Sequence, residues 1–194
     1  MIELVLCLPI LLIVVLGTME LAHYAMVREQ LSALALQIAD NAGRLGEQRM
    51  TGPERISEAQ INDVLLGGAM QSASLALEEN GRIVLSSLER NKDEGQWIHW
   101  QRCKGRLAHP SSYGLERTGE FGTAFAGMGP ASSRITAGKN LPVMFAEVAY
   151  NYKAIALPQL VPAGPIVEYA SAPVRIDRDT SSLTNGEKAK RSTC

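Results

Sequence analysis

The sequence predicts an α+β fold: one long N-terminal helix, its first half in a membrane and its second half packed on a small antiparallel β-sheet. Three observations carry that reading. Residues 4–19 hold no charge. Apolar residues then recur at three-and-four spacing as far as Leu45. Beyond Ser72 the hydrophobic period changes to two. The expected organisation is a transmembrane helix over residues 1–27, its amphipathic continuation over 28–50, a soluble α+β domain over 51–176 and a flexible tail over 177–194.

The first element is long enough to span. A helix of about 24 residues measures roughly 36 Å at about 1.5 Å per residue, against a hydrocarbon core of about 30 Å. In lipid a lone segment satisfies its own backbone only as a helix. The run lacks the basic flank and the small-x-small cleavage site of a signal peptide, so an anchor that stays in place is expected. Pro9 lies in the first turns, where proline is tolerated, or else it kinks the span. Arg28 and Arg44, beyond the far end, cast a weak vote for a cytoplasmic domain.

The helix does not stop at the membrane. Val27, Leu31, Leu34, Ile38 and Ala42 form one apolar stripe, and Arg28, Glu29, Gln37 and Asp40 fall between them. No proline interrupts residues 10–48, so one helix of more than about 35 residues is expected. Gly43 and Gly46 weaken its last turns by about 1 kcal/mol each, and Thr51-Gly52-Pro53 is expected to end it. A second, short helix should begin at Ser57, with Gln60 at the capping-box position and Ile56 and Ile61 spaced as a hydrophobic staple. Gly67-Gly68 is expected to fray its end.

The strands come next. Residues 72–78 and 82–88 flank Glu79-Asn80-Gly81, and Asn-Gly is a strong hairpin signal because both residues accept positive φ. Residues 96–102 alternate around Trp97, with Trp97 and Trp100 on opposite faces and Trp97 in the core. Residues 143–153 place Met144, Ala146, Val148, Tyr150 and Tyr152 on one face. Residues 166–176 make a last strand, with Pro173 marking an edge or a bulge. The Gly- and Ser-rich stretch 104–141 reads as a long surface excursion.

Composition removes several function classes. The chain has 194 residues and a formal charge of −1, which gives no electrostatic case for nucleic acid. Cys7, Cys103 and Cys194 and the histidines His23, His99 and His109 are dispersed and match no familiar zinc spacing, so neither metal nor cofactor is expected. The glycine stretch 119–129 is no P-loop, and no GxSxG elbow occurs. His99 beside Glu89 or Glu94 across a hairpin reads more plainly as a surface salt contact than as an acid–base pair. No catalytic residue and no enzyme activity are expected.

One resemblance orders these readings. Glu3-Leu4-Val5-Leu6-Cys7-Leu8-Pro9 is followed by an apolar run, by Gly17-Thr18-Met19-Glu20-Leu21 and by a helix bearing Ala35, Ala39 and Ala42. This resembles the TadE-type pseudopilin segment over about the first 45 residues. The resemblance implies a pilin-like fold and a minor pilin or pseudopilin of the Tad (Flp) pilus, acting in pilus assembly and adhesion. It further implies an inner-membrane anchor with the C-terminal domain in the periplasm, against the arginine count, and incorporation in a filament. Expected partners are other pilin or pseudopilin subunits, pilus-assembly membrane proteins and membrane lipid. The alternative is a single-pass periplasmic adaptor or sensor that never enters a filament. Prepilin peptidase cuts such precursors after a glycine, leaving a glutamate near the new end. Here the acid is Glu3, so either the natural start lies upstream or processing differs.

The candidate assembly and membrane residues are Glu3, Pro9 and Glu20. In pilin assembly the acid corresponding to Glu3 pairs with a neighbour's N-terminal amine and guides register, since an unpaired charge in lipid costs about 2.5–3.5 kcal/mol at the centre. Read from its position alone, Glu3 is interfacial and hydrated. Glu20 and His23, three apart, read as a solvated pair in the outer headgroup zone with Tyr24 as an interface anchor. In an oxidising periplasm Cys103 and Cys194 are expected to join, the alternative being two unpaired thiols. Closing that loop would stabilise by about 4–5 kcal/mol in the chain-entropy model.

Overall fold

A computed structural model describes residues 2–46, 55–175, 179 and 182–194, with side chains from residue 7 onward. The expected ends of the first helix at Thr51-Gly52-Pro53 therefore lie outside the described residues.

Helix α1 (Ile2–Gly43) is unbroken over 42 residues, and Pro9 sits inside it. It stops earlier than the sequence predicts because of packing. A Cβ on Gly43 would lie 3.0 Å from the carbonyl of Pro173, so the helix end is pressed against the last strand. Helix α2 (Glu58–Gln71) opens with the full capping box: Ser57 accepts from the Gln60 amide, and the Gln60 side chain accepts from the Ser57 amide. It runs through Gly67-Gly68 rather than fraying there. The reason is contact, since a Cβ on Gly68 would meet the Ile38 side chain of α1 at 2.8 Å.

The predicted first strand over 72–78 is not a strand. Residues Ala73–Leu75 form a 3-10 turn, Ala76 takes a left-handed conformation, and Leu77–Asn80 make one helical turn, α3. Leu77 is buried, which ties this turn to the core. Gly81 serves close approach rather than a hairpin turn. Its φ of −137° is extended, and a Cβ there would lie 2.4 Å from Leu77 and 2.8 Å from the Ala149 carbonyl.

Four antiparallel strands follow: β1 (Gly81–Arg90), β2 (Gln96–Lys104), β3 (Val143–Tyr150) and β4 (Ile166–Pro173), in the order β2-β1-β3-β4. Pro173 closes β4, an edge strand, as its chemistry requires. β1 pairs Ser87 with Trp100 and Leu88 with Ile98, leaving His99 as an extra residue in β2. That bulge breaks the alternation that had put the two tryptophans on opposite faces. Trp100 is the buried one, and Trp97 is half-buried and stacked on His99, with ring centroids 4.4 Å apart.

The sheet has a helix face and a loop face. On the first, α1 crosses β3 and β4, and Leu31, Ala35 and Ile38 meet Leu85, Ala146 and Val148 in the main core. On the second, Leu88, Ile98 and Phe145 pack beneath Met128 and Ala137. The 104–141 stretch is thus the cover of that face, not a free excursion. It is pinned by buried polar groups: Glu147 accepts from the Ser111 hydroxyl and the Ser112 amide, and Gln101 donates to the Gly114 carbonyl. The same stretch and the C-terminal segment occupy the outer edge of β2. The Ile98 amide donates to Thr118, the Gln101 amide to the Glu116 carboxylate and the Cys103 amide to Ser192.

The tail also differs from expectation in its described residues 182–194. It lies on the domain: Thr184 bridges to Ser57, Ser192 donates to Asn62, and Cys194 is bonded to Cys103.

Candidate functional site

Seen from the sheet, the first half of α1 projects free. Leu8, Ile10, Leu11, Ile13, Val14 and Val15 are all exposed, so this face has no partner within the chain. Among the described residues α1 is the one helix long and apolar enough to cross a membrane. Cys7 is an exposed free thiol on this segment. Glu3 lies in α1, and its carboxylate is outside the described residues.

The end of that segment holds a polar cluster. Glu20 is 0 % exposed, so the solvated pair expected from sequence is not what forms. One Glu20 oxygen accepts from the Tyr152 hydroxyl at 2.7 Å. The other accepts three consecutive backbone amides, from Ile155 at 2.9 Å, Ala156 at 2.7 Å and Leu157 at 3.1 Å. His23 Nδ1 is 2.8 Å from the same Tyr152 hydroxyl, so tyrosine stands between the two side chains read as a pair. Tyr24 meets the Tyr152 ring edge-on, with centroids 5.2 Å apart. A buried carboxylate with four donors is satisfied, whereas the same group without them would carry a large desolvation penalty. Chemically the cluster is a buckle: it fastens the loop after β3 to the helix just above the exposed apolar run.

A second buried ionic cluster lies away from the helix. Arg102 on β2 makes a two-pronged contact with Glu58, at 2.6 and 2.8 Å, and also reaches Glu116 at 2.8 Å. Arg191 of the tail joins Glu58 at 3.1 Å. Burial works to raise the Glu58 pKa, but the Arg102 and then the Arg191 guanidinium outweigh it and hold the carboxyl below its ordinary value. This cluster sits beside the Cys103–Cys194 bond and secures the tail. His99 Nδ1 pairs with Glu89 at 3.0 Å, and Glu94 pairs instead with Arg90. Glu89 also accepts from the Ser87 hydroxyl at 2.7 Å, and both side chains line a small cavity with Trp100 and Met144. Among the described residues no group of three or more His, Cys, Asp or Glu is placed to hold a metal ion.

Sequence reasoning singled out Glu20 and the Cys103–Cys194 pair but missed Tyr152 and the amides of 155–157 as Glu20's partners. These lie more than 130 residues away in the chain, and no periodic signal links them. Glu58 and Arg102 carried no motif either. Comparison with curated proteins and with solved structures found no match. Residues 1–40, most of α1, match the family model described as TadE-like protein, so this segment of the chain is similar to that family.

Proposed function

We propose that this chain is a minor pilin or pseudopilin that acts in assembly of a Tad (Flp)-type pilus. It is held in the bacterial inner membrane by α1, with the sheet domain in the periplasm. The observation that carries this reading is the first half of α1: a contiguous exposed apolar surface, on a helix that runs unbroken into the domain, inside the TadE-like match. Lateral association of such helices would let subunits pack side by side in lipid and later in a filament, with Glu3 setting register by pairing with a neighbour. The Cys103–Cys194 bond supports an oxidising compartment for the domain. No chemistry is assigned to the domain, whose part is to present its loop face to partner proteins.

The test is a photo-crosslinking residue at Val14 in the native host, compared with one at Phe121 on the far loop. The expected outcome is adducts between Val14 and pilin or pseudopilin subunits, and loss of surface pili when the chain is deleted. Normal piliation on deletion, with an N-terminus that mass spectrometry finds uncut, would instead make it a membrane adaptor outside the filament.

A further inference from the structure

We propose that the loop of residues 155–163 enters the outer edge of the bilayer beside α1. It would be a second lipid contact, held at that depth by Glu20. The inference extends the membrane anchoring just proposed and rests on it.

Depth is the first argument. Counting about 30 Å from Glu3 at about 1.5 Å per residue reaches His23, so Gly17 and Glu20 stand within the outer edge of the hydrocarbon. The loop is packed at that level: a Cβ on Gly17 would lie 3.0 Å from the Leu160 side chain, and Glu20 binds the amides of 155–157. Whatever touches α1 there shares its surroundings.

Composition is the second. Between Lys153 and Glu168 no residue carries a charge. Ile155 and Leu160 are 53 % and 46 % exposed, with no protein atoms over their outer surfaces. Leu160 lies against Gly17, the residue that follows the exposed Val14, Val15 and Leu16 on α1.

Backbone accounting is the third. Non-helical chain survives near lipid only when its polar groups are satisfied. Within the loop, Pro158 and Pro162 have no amide to satisfy. The amides of Ile155, Ala156 and Leu157 are taken by Glu20, and that of Leu160 by the Leu157 carbonyl. The carboxylate and the loop each remove the other's cost of leaving water.

The experiment uses the full chain with Cys7→Ser, reconstituted in vesicles of phosphatidylethanolamine and phosphatidylglycerol, with Cys103 and Cys194 left bonded. Nitroxides are attached after Ile155→Cys or Leu160→Cys, with Val14→Cys and Phe121→Cys as references. Collision with oxygen is compared with collision with a water-soluble nickel chelate. The expected result is an oxygen-to-nickel ratio at 155 and 160 close to that at 14 and several-fold above that at 121. Water-like ratios at 155 and 160 with a lipid-like ratio at 14 overturn the loop contact and leave the anchor standing. A water-like ratio at 14 overturns both. Labels at 155 and 160 closed to both reagents would give the loop to a second copy of the chain, which also overturns the lipid contact.

Discussion

The two halves of α1 share one backbone geometry and opposite burial rules. From Val27 to Ala42 the apolar stripe is inside, and Arg28, Glu29 and Asn41 face out. From Leu8 to Leu16 the apolar side chains are outside, and the acid that follows, Glu20, is inside. The first half is inverted relative to the second. A helix in water hides its grease, and a helix at a lipid boundary hides its charge. The change falls between Gly17 and Val27, where the loop after β3 crosses the helix. There the domain supplies donors to a carboxylate that is shut off from water.

The largest expected effect breaks the second half. Leu31→Asp would place an unpaired carboxylate in the main core, where Leu31 is fully buried. The cost is several kcal/mol, on the order of 5. The cooperative thermal transition seen by circular dichroism in detergent should disappear. A transition within a few degrees of the parent would mean that α1 does not seal the sheet.

Next comes the body that this half holds. Glu58→Gln leaves Arg102 buried with a weaker partner and should cost about 3–5 kcal/mol at neutral pH in urea unfolding. The deficit should shrink in acid. Because the folded carboxyl titrates below its ordinary value, its stabilisation is complete above the unfolded value of about 4.3. It is lost as pH falls through the folded one. Parent and variant therefore separate above about pH 5 and converge as the pH falls below the ordinary carboxylate value and through the lower folded one. A gap independent of pH would show that Glu58 is not ionised in the fold.

The smallest effect sharpens the first half. Glu20→Ala strips the acceptor from three amides and a phenol, at about 1–3 kcal/mol confined to the loop. Hydrogen exchange at 155–157 should accelerate while the sheet amides keep their protection. Unchanged exchange at those positions would dismiss the buckle.

Much of this was legible in the chain because it is local or periodic. The stripe from Val27, the capping box at Ser57 and all four strands repeat on a scale the sequence displays. The exceptions share a cause. Asn80-Gly81 carries a hairpin signature, yet Leu77 has to enter the core, and Gly81 is needed for the approach of β3 rather than for a turn. Trp97 and Trp100 were misassigned because a bulge at His99 is invisible to a count of two. Glu20 was visible as an acid in a greasy run, but its donors come from the far side of the domain. The grip on the tail was only half legible. Cys103 and Cys194 announce a bond, whereas Arg191 on Glu58 is an encounter between distant charges.

The occupied rim of β2 limits how copies of this chain can be strung together. With the amides of Ile98, Gln101 and Cys103 already engaged by the chain's own loop and tail, that side of the sheet offers no row of free donors to a neighbour. Growth of a continuous β-ribbon needs two open margins on every unit. A repeating array of this protein would therefore have to be joined by something other than strand pairing along β2.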